Sequence, residues 1–261
     1  MTAHAEGPPR LAIDAAARRA TITLARPRHL NRLHREDLLA LQAHVEAVAA
    51  DTSLRVLVLT GSGRAFCAGF NLDELNEGEA ASRDPQLFER TVDALEALPL
   101  PTIARLNGGV FGGATDLALA CDFRVGVAGM ALRMPAARLG LHYYPAGLRR
   151  YVSRLGLAAA KRLFLRAETV EAEELLAIGF LDEMVDGTAA LDARIDAIAA
   201  ELAANAPLAV RGMKRSLDEI ARGEFDLARL REREAACAAS QDLREGLAAF
   251  AERRTPRFTG S

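Results

Sequence analysis

Arg105-Leu-Asn-Gly-Gly-Val-Phe-Gly-Gly-Ala-Thr-Asp-Leu-Ala-Leu-Ala-Cys-Asp122 is the stretch that decides the fold. The run leading into it, Pro101-Thr-Ile-Ala-Arg-Leu106, is short and apolar and reads as a buried strand. The run leaving it, from Leu117 to Cys121, is made of small and apolar residues and reads as a helix packed on nearly all sides. Between them Gly108, Gly109, Gly112 and Gly113 allow a sharp turn whose backbone N–H groups can come close to a ligand. A helix that starts at such a turn presents unpaired N–H groups and the positive end of its dipole. Asp116 falls in or near its first turn. It is either a charge that complements the dipole or a carboxylate beside an oxyanion-binding turn.

Outward from this stretch the chain alternates strand and helix. Arg55-Val-Leu-Val-Leu-Thr60 is apolar on both faces, as a parallel buried strand would be. Upstream of it, residues 35–50 read as a helix with Leu38, Leu41, Val45 and Val48 on one face. Residues 11–14 and 20–24 read as an opening hairpin around Arg18-Arg19. Downstream, residues 123–127 and 131–134 are further strands, 157–166 and 170–178 helices, and 181–185 a last strand. From Ala189 onward the chain is alanine-rich and helical, broken at Pro207, Gly223 and about Ser240. The alternation predicts an α/β fold.

Composition narrows the function classes. A length of 261 residues suits one large domain, or a domain with an appendage. The net charge of −2 offers no basic field for nucleic acid. No apolar run approaches the length needed to cross a membrane. The start, from Met1 to Pro9, has neither an apolar core region nor an Arg-rich amphipathic pattern, so no targeting segment is expected and the protein reads as cytoplasmic. Cys67, Cys121 and Cys237 form no metal spacing and no even disulfide set, so they read as reduced and no metal site is expected.

A second glycine-rich loop, Gly61-Ser-Gly-Arg-Ala-Phe-Cys-Ala-Gly-Phe-Asn-Leu-Asp-Glu74, follows the strand ending at Thr60. It lacks the Lys-Ser/Thr ending of a phosphate loop and does not form GxGxxG. Its weight comes from standing one core strand before Asn107 to Asp116. Loops at the C-terminal ends of neighbouring strands can each aim one N–H at the same oxygen.

Together these stretches resemble the crotonase superfamily, the enoyl-CoA hydratase/isomerase-like proteins. The resemblance rests on Arg26-Pro27 with Asn31 and Leu33, Gly63 to Leu72, Pro101 to Gly108, and Gly112-Gly113 with Asp116 to Asp122. Pro135 with Leu139-Gly140, and Ala177 to Val185, extend it over nearly the whole chain. It implies a crotonase-like spiral of ββα repeats over residues 1–195, carrying an acyl-CoA site. A C-terminal helical region over 196–261 would pack on the core or form a homotrimer or dimer of trimers. It also implies binding of an acyl-CoA thioester without metal or redox cofactor, and stabilisation of the thioester enolate. By position, Phe70 and Gly113 would supply the two oxyanion-hole N–H groups. Ala68, Gly69, Asn71, Leu72, Gly112, Ala136 and Leu141 would line the substrate groove. Arg28, Arg32 and Arg35 are either a solvated basic face or contacts to CoA phosphates, and Arg257 and Phe258 in the tail would reach CoA.

The sequence also departs from the family pattern. Hydratases of this family place one glutamate on the glycine-turn helix and a second after the later proline. Here Asp116 holds the first position, one methylene shorter, and Ala136 the second. Water addition needs one group to handle the water and acid at the α-carbon, which argues against ordinary two-glutamate chemistry. Three readings follow. Asp116 acts alone, as in a double-bond isomerase, from a pocket walled by Phe70, Phe111 and Leu141. Alternatively the loop Leu141-His-Tyr-Tyr-Pro145 supplies the missing group through Tyr143 or His142, as the resemblance to methylmalonyl-CoA decarboxylase-like members implies for Tyr143. The third reading is an acyl-CoA-binding or protein-binding relative that performs no chemistry. Cys67 lacks a partner pattern for a nucleophile, and Asp73 and Glu74 read as helix-start charges.

Overall fold

The alternation at the chain start closes into a hairpin in the computed structural model, which describes residues 6–76 and 84–261. Met1 to Ala5, part of the start expected to carry no targeting segment, lie outside the described residues. Strands β1 (Gly7–Asp14) and β2 (Arg19–Ala25) pair antiparallel, with Leu11 opposite Ile22. Helix α1 (Arg35–Ala50) buries Leu38, Leu41, Val45 and Val48, and its start is held by Asp37, whose Oδ2 accepts the His34 N–H at 2.8 Å. Then come β3 (Val56–Gly61), β4 (Ala65–Cys67), the short α2 (Asp73–Asn76) and α3 (Leu87–Glu96). The glycine stretch forms β5 (Thr102–Leu106), β6 (Gly109–Phe111) and α4 (Ala114–Leu119), followed by β7 (Phe123–Val127) and β8 (Ala131–Arg133).

After these come α5 (Pro145–Lys161), β9 (Thr169–Glu171), α6 (Ala172–Ala177) and β10 (Glu183–Val185). Four helices finish the chain: α7 (Gly187–Ala203), α8 (Pro207–Arg222), α9 (Leu227–Ala239) and α10 (Gln241–Glu252). The helix expected at 157–166 is present, beginning after a kink at Gly156, where φ is +78°, and continuing through Arg166; ahead of the kink a further helical stretch starts at Pro145, whose fixed φ suits a first helical turn. One reading of this region changes. The helix expected over 170–178 gives up its first residues to β9, which pairs antiparallel with β8.

The strands sort into two sheets, ordered β1-β2-β3-β5-β7-β10 and β4-β6-β8-β9. From β2 to β10 the first sheet is parallel, and β4, β6 and β8 are parallel in the second. From β3 to β8 successive strands therefore alternate between sheets, and α3 and α4 close two of the turns. This is the ββα spiral. Strand β3 is buried along its whole length because it has a core on each face. Leu57 and Leu59 join the main core, while Val56 and Val58 pack with Ile103, Val125 and the α7 residues Leu191, Ile195 and Ile198. The division expected between residues 195 and 196 falls inside α7, which is continuous and docked on the sheet through both sides of that point.

The last helices are tied to the spiral by charge. Asp122 Oδ2 accepts from the Thr102 N–H at 2.7 Å and from Lys214 Nζ of α8 at 2.6 Å. Their outer faces leave Met213, Leu217, Leu247 and Phe250 exposed. Among the described residues no helix is long and apolar enough to cross a membrane.

Two asparagines hold the loop between β3 and β4 in shape. Asn31 is fully buried; its Nδ2 donates to the carbonyls of Ser62 and Ala65, at 2.8 and 2.9 Å, and its Oδ1 accepts the Arg26 N–H at 3.0 Å. Asn107 reaches the same loop from β5, donating to Gly63 O at 2.8 Å and Ala65 O at 3.0 Å, and accepting from the Gly61 N–H at 3.2 Å. Removing either amide strands buried carbonyls, each worth about 1–3 kcal/mol. Asn31→Ala is therefore expected to lower stability by about 2–4 kcal/mol in urea unfolding, whereas Asn205→Ala, on a surface turn, leaves the midpoint nearly unchanged.

Candidate active site

The loops after β4 and after β6 converge because glycines let them touch. Gly69 has φ +90°, and a Cβ there would lie 2.6 Å from the Phe111 carbonyl oxygen and 3.1 Å from Gly113 N. Both obstacles are backbone, so only glycine fits. At the same junction, neither the Phe70 N–H nor the Gly113 N–H finds an acceptor among the described residues. Gly113 is also the residue from which α4 starts, where the helix dipole favours negative charge.

Phe70 and Gly113 border a cavity of about 940 Å³. Its walls are largely apolar, with Leu87, Phe88, Phe111, Leu141, Tyr143 and Tyr144 contributing. Phe88 stands between the two halves of the site. A Cβ on Gly113 would come 2.6 Å from its Cζ, and its ring meets those of Phe70 and Tyr144 edge-on at 6.3 and 6.0 Å. Ala68, Asn71, Leu72, Gly112, Ala136 and Leu141 also border the cavity; Gly69 and Arg32 do not. Gly69 is turned against Phe111, and the Arg32 guanidinium lies 3.9 Å from Asp73. Arg35 stands on the cavity wall with His34 and Glu74, and Glu74 accepts from the Arg35 N–H at 2.9 Å. Asn71 is buried with its Oδ1 unpartnered, an acceptor left open beside the cavity.

Asp116 occupies the first turn of α4 with no exposure to solvent, but it does not border the cavity. Tyr143 and Tyr144, stacked with centroids 4.4 Å apart, do border the cavity, and both reach Asp116 Oδ2. The Tyr144 hydroxyl donates to it directly, while that of Tyr143 is 3.4 Å away. The expected wall of Phe70, Phe111 and Leu141 thus surrounds the cavity, and tyrosine encloses the carboxylate. Behind it, Arg150 Nη1 lies 2.8 Å from both Asp116 oxygens. Arg150 is itself held by Glu96, at 2.9 Å from Nε, and by Asp93, at 2.6 Å from Nη2.

These neighbours set the protonation chemistry. Burial raises the Asp116 carboxyl above the ordinary aspartate value, and the Arg150 guanidinium and Tyr144 hydroxyl, which favour the charged form, offset only part of that rise. Burial and the Asp116 charge hold the Tyr144 hydroxyl protonated, well above the ordinary phenol value. Burial works against the Arg150 charge, but Asp116 and Glu96 more than compensate. His142 is exposed at the cavity rim, where Nδ1 lies 2.8 Å from the Tyr143 carbonyl oxygen, and it makes no contact with Asp116. Cys67 is a buried thiol pushed up to about 12, an inert packing group. Arg257 and Thr259 line a separate surface depression with Asp242 and Glu245, away from this cavity.

Sequence reasoning missed Arg150, Glu96 and the contact of Tyr144. A signal for Arg150 exists. Gly147, Arg150 and Tyr151 share helical spacing and are the buried side of the first turns of α5, so this arginine sits on an apolar stripe. A charged residue in such a place requires a buried partner.

Comparison with known proteins agrees with this architecture. The model of the enoyl-CoA hydratase/isomerase family matches residues 15–261. The chain is similar to the 2,3-dehydroadipyl-CoA hydratase of Escherichia coli, 32% identical over 92% of this chain and 94% of that protein. It is 31% identical to the crotonyl-CoA hydratase of Syntrophomonas wolfei over the same shares of each. Among solved structures, the enoyl-CoA hydratase from Bacillus anthracis superposes with a TM-score of 0.89 at 30% identity, covering 96% of this chain and 99% of that one.

The charge network behind the site carries a pH signature. Burial alone would raise Glu96, but hydrogen bonding and charge from Arg150, then Arg154 and Arg222, hold its carboxyl below the ordinary glutamate value. A depressed carboxyl contributes stability that is present above the unfolded value, about 4.3, and is lost as pH falls through the lower folded value. Glu96→Gln is expected to cost about 3 kcal/mol at neutral pH. The gap in urea midpoint between the two proteins should narrow as pH drops from about 6 toward about 3. A gap that stays constant over that range would remove Glu96 from the titrating network.

Proposed function

The chain belongs to the enoyl-CoA hydratase/isomerase family, and on that premise we propose that it binds an acyl-CoA thioester and moves a proton at the carbon next to the thioester carbonyl. One observation carries this reading: two N–H groups without acceptors among the described residues, on loops in contact, belong to residues that border one largely apolar cavity. Phe70 and Gly113 then donate to the thioester oxygen as it gains negative charge. Donors fixed in a dry site lower the barrier because they need no reorganisation. Deprotonation beside such a hole calls for neither metal nor redox cofactor. The Asn71 Oδ1 is available to an N–H of the CoA arm, and Arg35 to its phosphates.

Among family reactions, shifting a double bond is favoured over adding water. Ala136 borders the cavity with a methyl group and no proton-transfer capacity. The remaining carboxylate, Asp116, is screened by the tyrosines, and the walls beside them are apolar. Such a site offers a proton carrier for carbon but no second carboxylate at the Ala136 position to steer water, and Glu74 on the cavity wall is engaged by His34 and the Arg35 N–H. Tyr143, bordering the same cavity, keeps loss of CO2 from a methylmalonyl-type thioester as the second reading. The exposed apolar residues of α8 to α10 support assembly as a homotrimer or dimer of trimers. The composition supports a cytoplasmic setting.

Crotonyl-CoA, trans-3-hexenoyl-CoA and methylmalonyl-CoA assayed side by side test the reading. Isomerisation of the 3-enoyl thioester is expected to exceed hydration of crotonyl-CoA by at least about 100-fold, the usual worth of one positioned acid/base group. Fast hydration of crotonyl-CoA would overturn the argument from Ala136. Binding of acetoacetyl-CoA without turnover of any of the three would leave a CoA-ester-binding protein.

A further inference from the structure

We propose that Tyr144 is the residue that exchanges the proton with the substrate carbon, relaying it to and from Asp116 behind it. The proposal rests on the acyl-CoA reading above. It starts from a geometric conflict. Asp116 is the carboxylate at the glycine-turn helix, yet it is wholly shielded and does not border the cavity. A substrate carbon in the cavity therefore reaches it only through a group that touches both.

Three side chains of the loop before α5 are placed to be that group, and the structure separates them. His142 borders the cavity but makes no contact with Asp116, and its ring pairs with the Tyr143 carbonyl. Tyr143 is the more buried tyrosine, packed against Phe164 at 5.2 Å and Tyr151 at 6.4 Å, with its hydroxyl 3.4 Å from Oδ2. Tyr144 is partly exposed, borders the cavity and donates directly to Asp116 Oδ2. Its ring meets Phe88, the ring lying against Gly113, so it stands one aromatic ring from the proposed oxyanion hole.

The step balances without a charged tyrosine. The α-carbon–hydrogen bond breaks and its proton passes to Tyr144 Oη. As it arrives, the proton already on Tyr144 passes to Asp116 Oδ2. The electron pair of the broken bond moves to the thioester oxygen, held by the Phe70 and Gly113 N–H groups. Tyr144 is neutral before and after, Asp116 has gained the proton, and the enolate carries the charge. For a 3-enoyl thioester the reverse relay delivers the proton to the γ-carbon and leaves the double bond conjugated.

Arg150 is the positioning residue of this chain. Its Nη1 holds both Asp116 oxygens, including the Oδ2 that accepts from Tyr144, and so fixes how that oxygen is presented to the tyrosine. Burial, which favours a protonated Asp116, and Arg150, which favours the ionised form, act in opposite directions. That opposition suits a carboxylate that must both take up and release a proton.

The test uses the intact protein with trans-3-hexenoyl-CoA in D2O, following loss of the α-proton signal by NMR, and acetoacetyl-CoA as the binding probe. Tyr144→Phe should slow exchange at least about 100-fold while acetoacetyl-CoA affinity stays within about threefold, because the oxyanion donors are backbone. Asp116→Asn should do the same. The double variant should lose no more than either single one, since the two residues form one path. In mixed H2O and D2O the wild-type rate of α-proton loss should fall linearly with deuterium fraction, because the carbon-bound proton comes from the substrate and the Tyr144 proton alone comes from solvent; with a merely structural tyrosine, ionised Asp116 would take the proton directly and solvent deuterium would not slow the step. Exchange in Tyr144→Phe within about threefold of wild type, or a wild-type rate of α-proton loss that does not change with deuterium fraction, overturns the relay and leaves acyl-CoA binding standing. A wild-type protein that binds no acetoacetyl-CoA overturns the acyl-CoA reading and the relay with it.

Discussion

A carboxylate placed at zero solvent exposure must be paired, and the pairing of Asp116 organises the centre of this molecule. Removing a charge from water costs several kcal/mol, which only close, well-directed partners recover. Arg150 meets both oxygens, and Tyr144 and Tyr143 meet one of them. The arginine in turn requires Glu96 and Asp93, which belong to another helix. Helices α3, α4 and α5 are therefore fixed to one another by charge as well as by packing. The tyrosine loop is fixed with them. Removing one member leaves the others buried and unpaired, so the network holds or fails as a unit.

The same constraint explains the form of the cavity. Its tyrosine wall is held from behind, because both hydroxyls reach the buried carboxylate. Phe88 then fills the space between that wall and Gly113. On the other side, the approach of Gly69 to Phe111 and Gly113 brings the two glycine loops into one junction. One part is built by charge, the other by the absence of side chains.

Much of this could be read from the residues in order. The helix bounds of α1, the buried strand at β3 and the breaks at Pro207, Gly223 and Ser240 follow from periodicity and turn chemistry. Of the second sheet only β8 was legible in this way. Strands β4, β6 and β9 are three residues each, too short for an alternation to appear. Asp116 and the tyrosine loop stood out as candidate chemistry, but which tyrosine meets the carboxylate depends on how Pro145 starts α5. Arg150 lies 34 residues from Asp116, and Glu96 another 54 from Arg150. Neither separation leaves a local mark, and a second arginine adjoins at Arg149, which is exposed and makes the pair look like a solvated face.

The asparagine braces of the loop between β3 and β4 have a consequence of their own. Amides carry no titrating proton, and Asn31 and Asn107 hold the loop through neutral bonds to its carbonyls. The network behind Asp116 is made of groups that do titrate. The hold on this loop is therefore indifferent to acidity and alkalinity. The loop keeps its contour while α3, α4 and α5 gain or lose charge, so of the two supports of the site one ignores pH and the other answers to it.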